Sequence, residues 1–261
     1  MFIGRGSTDR GNCDFTICTT QRTGSTWLVD MLNSHPDVTA YSELFLRNPP
    51  GWKPKWGGSV DIDLWAPYSG ASGRVTLRDP APYLDTEVYR QTRRLTPAVG
   101  FKVMYSQLRW CPRLLFYLKA HEVKVIHLVR ENQLDVVLSR RLLQERKRAH
   151  QWTKEEAAPS VLLDPVEVLW ALRRLRRQVQ LMRCLFRILG FDTYEVTYER
   201  LTQSEDEFRA LLGTIGVAEP ETSLTSKLQK INRQPKERII ENFDEIAEAL
   251  EGTDFEEMLT R

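Results

Sequence analysis

Short apolar runs alternate along this chain with segments in which apolar residues recur at helical spacing. Strand-like runs cover residues 15–18, 99–104 and 123–129, and residues 194–201 have the pattern of a strand that ends in a turn. Between them, apolar residues fall three and four positions apart, as they do on one face of a helix. Strands that alternate with helices predict a doubly wound parallel α/β sheet flanked by helices, with ligands at the carboxyl ends of the strands. A chain of 261 residues can bury one substantial core, so we expect a single domain over residues 1–261.

The longest helical pattern lies between Asp164 and Leu189. Its start is marked by Asp164 as an N-cap, Pro165 at the first helical position and Glu167 at the third. The apolar residues that follow recur at alternating steps of four and three: Val168, Leu172, Leu175, Val179, Met182, Phe186 and Leu189. Arginines cover the other faces. This pattern fits a core-packed helix with a solvated basic side, and it leaves open a dimer contact or a surface for an anionic acceptor.

The segment Thr19–Leu28 has the features of a phosphate-binding turn. It links the first apolar run to the first helical pattern through one glycine, Gly24. Backbone N–H groups at a helix N-terminus point at an anion, and the helix dipole favours negative charge there. The hydroxyls of Ser25 and Thr26 add donors, and the planar guanidinium of Arg22 can fork onto phosphate or sulfate. An ordinary strand–turn–helix with Ser25 as a polar N-cap is the alternative.

This turn differs from a Walker A loop, G-x-x-x-x-G-K-[S/T], at two positions. Thr19 stands where the first glycine is expected, and Ser25 stands where the lysine is expected. The cation lies instead within the turn, at Arg22. The difference suggests a site for a shorter 5′ anion than a triphosphate, bound without a metal-bridged γ-phosphate.

The sequence Gln21–Leu28 resembles the 5′-phosphosulfate loop of sulfotransferases. Its arginine is similar to that of the bacterial carbohydrate and tyrosylprotein types. The resemblance implies a P-loop-like sulfotransferase fold, with 3′-phosphoadenosine 5′-phosphosulfate (PAPS) as sulfuryl donor and 3′-phosphoadenosine 5′-phosphate (PAP) as product. It assigns donor binding to six residues of this loop: Arg22, Thr23, Gly24, Ser25, Thr26 and Trp27.

Two later segments continue the resemblance. Arg130 ends an apolar run, Ser139 lies on the following helical segment, and the pair resembles the ligands of the donor 3′-phosphate. Its spacing is one residue longer than in the cytosolic enzymes and suits bacterial relatives. Tyr198 resembles the tyrosine that lies near the adenine. A strand-end salt bridge, a solvated hydroxyl and a half-buried strand tyrosine are the alternatives for these three residues.

Three residues are candidates for catalysis. Lys102 lies inside an apolar run, where a charge is costly unless it is paired or used, and in sulfotransferases a lysine here approaches the sulfuryl group. The cytosolic enzymes carry a catalytic histidine two residues later, but this chain has Met104, which cannot take a proton. Glu43 follows the first helical segment and its stop at Pro36. It resembles the general base of the tyrosylprotein and bacterial carbohydrate enzymes, with a surface carboxylate as the alternative. Arg22 would share the charge of the transferring group with Lys102.

A segment rich in proline, glycine and aromatic residues spans residues 47–82. A loop of this length in a compact domain is usually functional or disordered, and its tryptophans argue against disorder. Flat aromatic faces suit a sugar or another bulky acceptor, so we predict an acceptor lid; a loop pinned by its own aromatic cluster is the alternative. The candidate acceptor contacts are Trp52, Trp56, Trp65 and Tyr68.

Residues 228–261 resemble the bacterial sulfotransferase segment that closes over the donor. Within it we expect a helix from Glu237 to Leu250, with Arg233 and Lys230 as candidates for phosphate contacts. The Arg-Lys-Gly triplet of the cytosolic family is missing, so exposed loop cations are the alternative for these two residues.

Composition narrows the functional classes further. The net charge of +2 does not by itself imply nucleic-acid binding. The four cysteines form no Cys-x-x-Cys pair and fit a reduced cytoplasm, and they lack zinc-ligand spacing with the histidines, so no metal is expected. The N-terminus has no signal-like apolar region, and no apolar run approaches the ~20 residues of a membrane span.

Two other functional classes stay open on the sequence. One is a P-loop kinase of small molecules, against which the missing Walker lysine and the lack of a clear Walker B aspartate count. The other is a non-catalytic anion- or RNA-binding protein that uses the basic helices, which would leave Lys102, Glu43 and the 5′ loop unexplained. For a sulfotransferase, a carbohydrate or glycolipid hydroxyl is the expected acceptor, with a lipid, a polyketide intermediate or a phenol as alternatives.

Overall fold

The structure is a computed structural model that describes residues 13–46, 68–69, 75–76, 79–149, 160–220, 224–226 and 234–260. Its strands are β1 (Cys13–Thr19), β2 (Val38–Glu43), β3 (Tyr68–Ser69), β4 (Val75–Thr76), β5 (Ala98–Met104), β6 (Lys124–Val129) and β7 (Thr193–Thr197). Its α-helices are α1 (Ser25–Asn33), α2 (Ala81–Tyr83), α3 (Arg90–Thr92), α4 (Tyr105–Trp110), α5 (Pro112–Ala120), α6 (Gln133–Ala149), α7 (Pro165–Ile188), α8 (Tyr198–Gln203), α9 (Glu205–Thr214), α10 (Lys236–Ile239) and α11 (Phe243–Leu250). A π-helical segment, Leu84–Tyr89, joins α2 to α3, and a short 3-10 helix, Glu256–Met258, follows α11.

Five parallel strands form the main sheet, in the order β2-β5-β1-β6-β7. This arrangement confirms the predicted parallel α/β architecture. The central strand is β1, which pairs with β5 on one side and with β6 on the other. The turn that follows β1 therefore leaves the middle of the sheet at its carboxyl edge, where ligands bind in open α/β folds.

Both faces of the sheet are covered by helices. Successive side chains of a strand point to opposite faces, so Phe15 and Ile17 of β1 pack on one side, with α1 and α9. Cys18 points to the other side, into a core that includes Leu114 of α5 and Phe186 of α7. Apolar side chains on both faces explain why the strands read as nearly continuous apolar runs.

Helix α7 confirms the longest predicted helix. The Asp164 carboxylate accepts a hydrogen bond from the Glu167 N–H at 2.9 Å, which caps the helix as the sequence indicates. The face buried against the rest of the protein is formed by Val168, Leu172, Leu175, Val179, Met182 and Phe186. Trp170, Leu181 and Ile188 are exposed.

One strand of the main sheet was not predicted. Residues 38–43, which were expected to form a connection after the first helix, form the edge strand β2 beside β5. Its first four residues are buried and include β-branched and aromatic side chains, which favour a strand. The run is too short, and its Ser42–Glu43 end too polar, for the apolar pattern alone to reveal it.

The prediction of one C-terminal helix from Glu237 to Leu250 was wrong. Two helices, α10 and α11, occupy this region, and the chain between them is not helical. Ile240 forms a parallel bridge with Val161, and the Asn242 side chain donates to the Leu163 carbonyl at 2.8 Å. These long-range contacts hold Ile240 in an extended conformation and are followed by a turn, and no local sequence signal encodes them.

Candidate active site

The turn between β1 and α1 has two residues in the left-handed region. Gly24 has φ 82° and Arg22 has φ 68°, and α1 begins at Ser25. The N-cap position belongs to Gly24, so the Ser25 N-cap alternative does not hold: Ser25 is the buried first residue of the helix. The N-terminus of α1 therefore lies at the carboxyl edge of the sheet, directly after the central strand β1.

Two threonine hydroxyls fix the base of this turn. Thr19 Oγ1 donates to the Leu128 carbonyl of β6 at 2.7 Å and lies 2.6 Å from Thr23 Oγ1. Thr23 Oγ1 donates in turn to the Thr20 carbonyl at 3.0 Å. Thr19 thus ties the turn to the neighbouring strand, a role that the glycine at this position of a Walker A loop could not fill. The Thr23 hydroxyl is used inside the turn, which leaves its backbone N–H as its means of contacting an anion.

Tyr198 lies against the glycine of the turn. A Cβ atom on Gly24 would be 2.2 Å from Tyr198 Cδ2. The Trp27 ring meets the Tyr198 ring edge-on, with centroids 5.6 Å apart, and the Arg130 guanidinium lies 4.5 Å above the Tyr198 ring. The structure therefore brings together Gly24, Trp27, Arg130 and Tyr198, four predicted donor contacts from three separate segments.

We expect Gly24→Ala to destabilise the protein by more than the ~1–2 kcal/mol that a side chain costs in the left-handed region, because the new methyl group also displaces Tyr198. Urea unfolding of both proteins measures the difference. Gly213→Ala, in α9 with no atom within 4 Å of the new Cβ, is the control, and it should be neutral or stabilising by up to ~1 kcal/mol. Equal stability of the two variants would contradict the close approach of Tyr198.

Lys102 and Glu43 meet at the carboxyl edge of the sheet. Lys102 is 3% exposed, and its Nζ lies 3.3 Å from Glu43 Oε1 and donates to Thr26 Oγ1 at 3.3 Å. Thr26 belongs to the first turn of α1. The structure thus places the two predicted catalytic residues in contact with each other. It also places the lysine in contact with the predicted phosphate-binding turn, residues 19–28, which is called the phosphate loop below.

A β-bulge in β2 makes this pairing possible. Tyr41 pairs with Phe101, but Glu43 pairs with Lys102, so Ser42 is an extra residue in the register. Paired residues of neighbouring strands point to the same face, and a slip of one residue reverses the face. Without the extra residue, Ser42 would face Lys102 and Glu43 would point to the opposite side of the sheet.

Gln107 is a site residue that sequence reasoning missed. It is 4% exposed, and its Oε1 accepts the Met104 N–H at 2.9 Å while its Nε2 donates to Glu43 Oε2 at 3.0 Å. One Glu43 oxygen is therefore held by Gln107 and the other faces Lys102. A glutamine at the third position of α4 is a recognisable helix-start signal, but nothing in the sequence connects it to Glu43.

The lysine charge is held in an unfavourable environment. Burial lowers the pKa of Lys102 from its usual 10.5, and the positive charge of Arg22 lowers it further; the Glu43 carboxylate opposes both effects without overcoming them. A buried cation with a lowered pKa gains from a further negative charge brought next to it. A further negative charge next to Lys102 would therefore stabilise its charged form.

Helix α6 contacts the other side of the phosphate loop. Arg22 Nε donates to Ser139 Oγ at 2.8 Å, so the predicted 5′-loop arginine and the predicted 3′-phosphate serine are in direct contact. The next residue, Arg140, donates from its Nη2 to Thr20 Oγ1 at 2.9 Å. Both contacts join the loop to the first half of α6.

Arg130 takes part in ion pairs at the end of β6. Its guanidinium contacts Asp135 Oδ2 at 2.6 Å and Glu199 Oε1 at 3.3 Å. Glu199 also accepts the N–H of Glu131 at 3.0 Å. The strand-end salt bridge that the sequence left as an alternative is thus present, beside the phosphate loop.

Several predicted contacts lie outside the described residues. These are the acceptor candidates Trp52, Trp56 and Trp65 and the donor candidates Lys230 and Arg233. Tyr68 lies in β3, which pairs antiparallel with β4, and the last two residues of the predicted lid, Ala81 and Pro82, belong to α2. The acceptor lid thus stays a prediction.

Within the described ranges, no cluster of three or more His, Cys, Asp or Glu side chains could hold a metal ion.

Among the helices of the described ranges, none is long and apolar enough to cross a membrane.

Comparisons with known proteins do not establish the family of this chain. No protein-family model matches the chain, and no curated protein matches it significantly. Among solved structures, the chain is similar to a sulfotransferase from Alicyclobacillus acidocaldarius. The identity is 17% and the TM-score 0.44, over 95% of this chain and 96% of that one.

Proposed function

We propose that this protein is a sulfotransferase that moves a sulfuryl group from PAPS to an acceptor hydroxyl. The observation that carries this proposal is the Lys102–Glu43 pair, because its lysine also contacts Thr26 of the phosphate loop. A buried cation, a partly exposed carboxylate and an anion-binding helix start meet at one edge of the sheet. This combination suits in-line transfer of an anionic group to a hydroxyl that must lose its proton.

The loop residues fit a phosphosulfate donor. Gly24 lets the Tyr198 ring approach the helix start more closely than a Cβ would allow, and Arg22 and Lys102 provide positive charge on either side of the loop. We infer that the backbone of Thr23, the hydroxyls of Ser25 and Thr26 and the loop N–H groups hold the 5′-phosphosulfate. Trp27 and Tyr198 would form the wall near the adenine.

The proposed reaction makes one S–O bond and breaks another. The acceptor oxygen attacks sulfur, the bond from sulfur to the bridging phosphate oxygen breaks, and PAP leaves with the electron pair. Glu43 accepts the proton of the acceptor hydroxyl, and Lys102 and Arg22 stabilise the charge that develops on the sulfuryl and bridging oxygens. As in phosphoryl transfer, position and preorganised positive charge supply most of the catalysis.

Gln107 sets the direction of the proposed base. It holds Glu43 Oε2, while Lys102 faces Oε1. A carboxylate with both oxygens engaged keeps one orientation, and its remaining lone pairs can accept the proton. Since Glu43 is 26% exposed at its side chain, an acceptor hydroxyl can reach it from solvent.

The finer assignments rest on the sequence. We propose a carbohydrate or glycolipid hydroxyl as acceptor, because the aromatic segment 47–82 suits a sugar face and the loop resembles bacterial carbohydrate enzymes. A cytoplasmic location, catalysis without a metal and a homodimer through α7 are further predictions of the same kind.

Ligand-induced stabilisation tests the proposed donor. We expect PAP at about 100 times its Kd to raise the free energy of unfolding by about 2.7 kcal/mol, while AMP and ATP–Mg at the same concentration give smaller shifts in melting temperature. The 3′-phosphate should account for the difference between PAP and AMP.

Two results, one from this measurement and one from RNA titration, would contradict the proposal. Stabilisation by ATP–Mg and not by PAP would favour the small-molecule kinase. Steeply salt-dependent RNA affinity, with no stabilisation by any nucleotide, would favour the non-catalytic RNA-binding alternative.

A further inference from the structure

Two arginines near the phosphate loop differ in their charge environment: Arg130, at the end of β6, and Arg140, on α6. Arg130 forms ion pairs with two carboxylates, those of Asp135 and Glu199. Arg140 donates only to neutral oxygens, Thr20 Oγ1 at 2.9 Å and the Gln21 carbonyl at 3.5 Å, and within the described ranges no carboxylate forms an ion pair with it. The positive charge of Arg130 is thus largely neutralised, and that of Arg140 is not.

Arg140 is also held close to other positive charges. Its burial lowers its pKa, and the guanidinium groups of Arg174 on α7 and Arg22 in the loop lower it further. Its Nε is buried and makes no hydrogen bond within the part of the chain that the structure describes. A half-buried guanidinium beside two like charges costs stability unless an anion compensates it.

The local geometry defines where such an anion would bind. Ser139 and Arg140 are consecutive residues of α6, and each contacts the phosphate loop, the first through Arg22 and the second through Thr20. An anion between α6 and the loop would meet the Arg22 and Arg140 guanidinium groups and the Ser139 hydroxyl together. Arginine is well suited to such a site, because its planar fork binds phosphate oxygens in pairs.

We propose that Arg140 supplies the net positive charge that binds a phosphate monoester at the α6 side of the loop, while Arg130 is a structural cation that positions Tyr198. Identifying this group as the 3′-phosphate of the donor rests on the proposed function. From the sequence, Arg130 and Ser139 are predicted to bind that phosphate. In this proposal Arg140 replaces Arg130 as the cation, and Ser139 remains a ligand.

The adjacent residue offers a matched control. Arg141 is also on α6, but its side chain points to α7, where its Nη2 lies 3.3 Å from Glu167 Oε2. Arg141→Gln therefore removes the same charge one position away from the proposed site. Arg140→Lys keeps the charge of Arg140 and loses the planar fork.

Calorimetric titration of PAP and AMP separates the two phosphates. We expect Arg140→Gln to weaken PAP binding about 10–100-fold, as charge-assisted hydrogen bonds to phosphate are lost, and AMP binding less than about threefold. Arg140→Lys should lie between this variant and the wild type, and Arg141→Gln should bind PAP within about twofold of the wild type. Equal loss of PAP and AMP, or equal PAP affinity in the two glutamine variants, would overturn the assignment.

The melting temperature without ligand distinguishes binding from a structural role. If Arg140 is a binding residue, Arg140→Gln should leave the melting temperature of the free protein unchanged or raise it, since an uncompensated charge is removed. A fall of several degrees in Arg140→Gln, absent in Arg141→Gln, would make Arg140 a structural residue of the loop and overturn the proposal.

Inorganic phosphate tests the site apart from the donor. We expect phosphate to stabilise the wild type and Arg141→Gln, and Arg140→Gln distinctly less. If the wild type prefers PAP no more than AMP but phosphate still distinguishes the variants, the donor assignment fails and the anion site stands. Phosphate that stabilises Arg140→Gln as well as the wild type, or stabilises neither, overturns the anion site.

Discussion

Glu43→Gln is expected to lower kcat by about 10²–10⁴-fold, the usual contribution of a well-placed general base. The amide keeps the shape of the side chain, and its oxygen can still accept a hydrogen bond from the Lys102 ammonium, but it cannot act as a base for the acceptor hydroxyl. Because Glu43 lies at the Lys102 edge of the site and not at the Ser139 side of the loop, PAP affinity should stay within about twofold. Steady-state turnover of PAPS with an acceptor substrate, together with PAP titration, measures both quantities.

The matched control for this variant is Glu131→Gln. Glu131 is exposed and follows β6 next to Arg130. Its substitution therefore removes a carboxylate near the proposed donor side of the site and does not affect the contacts of Lys102. Its kcat should stay within about twofold of the wild type. Turnover at the wild-type rate in Glu43→Gln would remove Glu43 as the base, and an equal loss of PAP affinity and kcat would indicate a role in donor binding instead.

The parts of the site that the sequence predicted are those encoded in local runs. The phosphate loop combines one glycine, several hydroxyls and an arginine between a strand and a helix, and each of these residue types has a local reason to be there. Lys102 was predicted because a charge in an apolar strand needs a partner. Helix α7 was predicted from its N-cap residue Asp164 and from apolar residues that recur every three or four positions.

The parts that the sequence did not predict depend on contacts between distant segments. The bulge at Ser42 decides which face Glu43 joins, and one extra residue leaves no mark in a short strand. Gln107 reaches Glu43 across 64 positions, and Arg130 is neutralised by Glu199 from 69 positions away. A role given to Arg130 from its place after a strand could not anticipate that second carboxylate.

Lys102→Met is expected to lower kcat by about 10²–10³-fold, the typical loss when one preorganised group that stabilises transition-state charge is removed. Methionine matches the length of the lysine stem and fits a position that is 3% exposed. The free protein should keep its melting temperature or gain slightly, since a buried charge is removed and Glu43 stays bonded to Gln107. Lys124→Met, at the opposite end of the sheet, is the control and should keep wild-type turnover.

The pH dependence of the wild type gives an independent check on Lys102. Burial lowers its pKa below 10.5, so the ammonium loses its proton at a lower pH in the folded protein than in the unfolded chain. If the charged form stabilises the transition state, kcat must fall as the pH rises through that lowered pKa. This alkaline decline should be absent in Lys102→Met. A decline of the same size in both proteins would place it in another group and contradict the role of Lys102.

The double variant Glu43→Gln/Lys102→Met shows whether the two residues act as one unit. When two groups act together in a transition state, removing both raises the activation free energy by less than the sum of the two single increases. Since Glu43 Oε1 and Lys102 Nζ lie 3.3 Å apart and both would face the transferring group, we expect a combined loss well below the product of the single losses. Independent, multiplicative losses would mean that the base and the cation contribute separately, and the pair would then owe its contact to folding and not to catalysis.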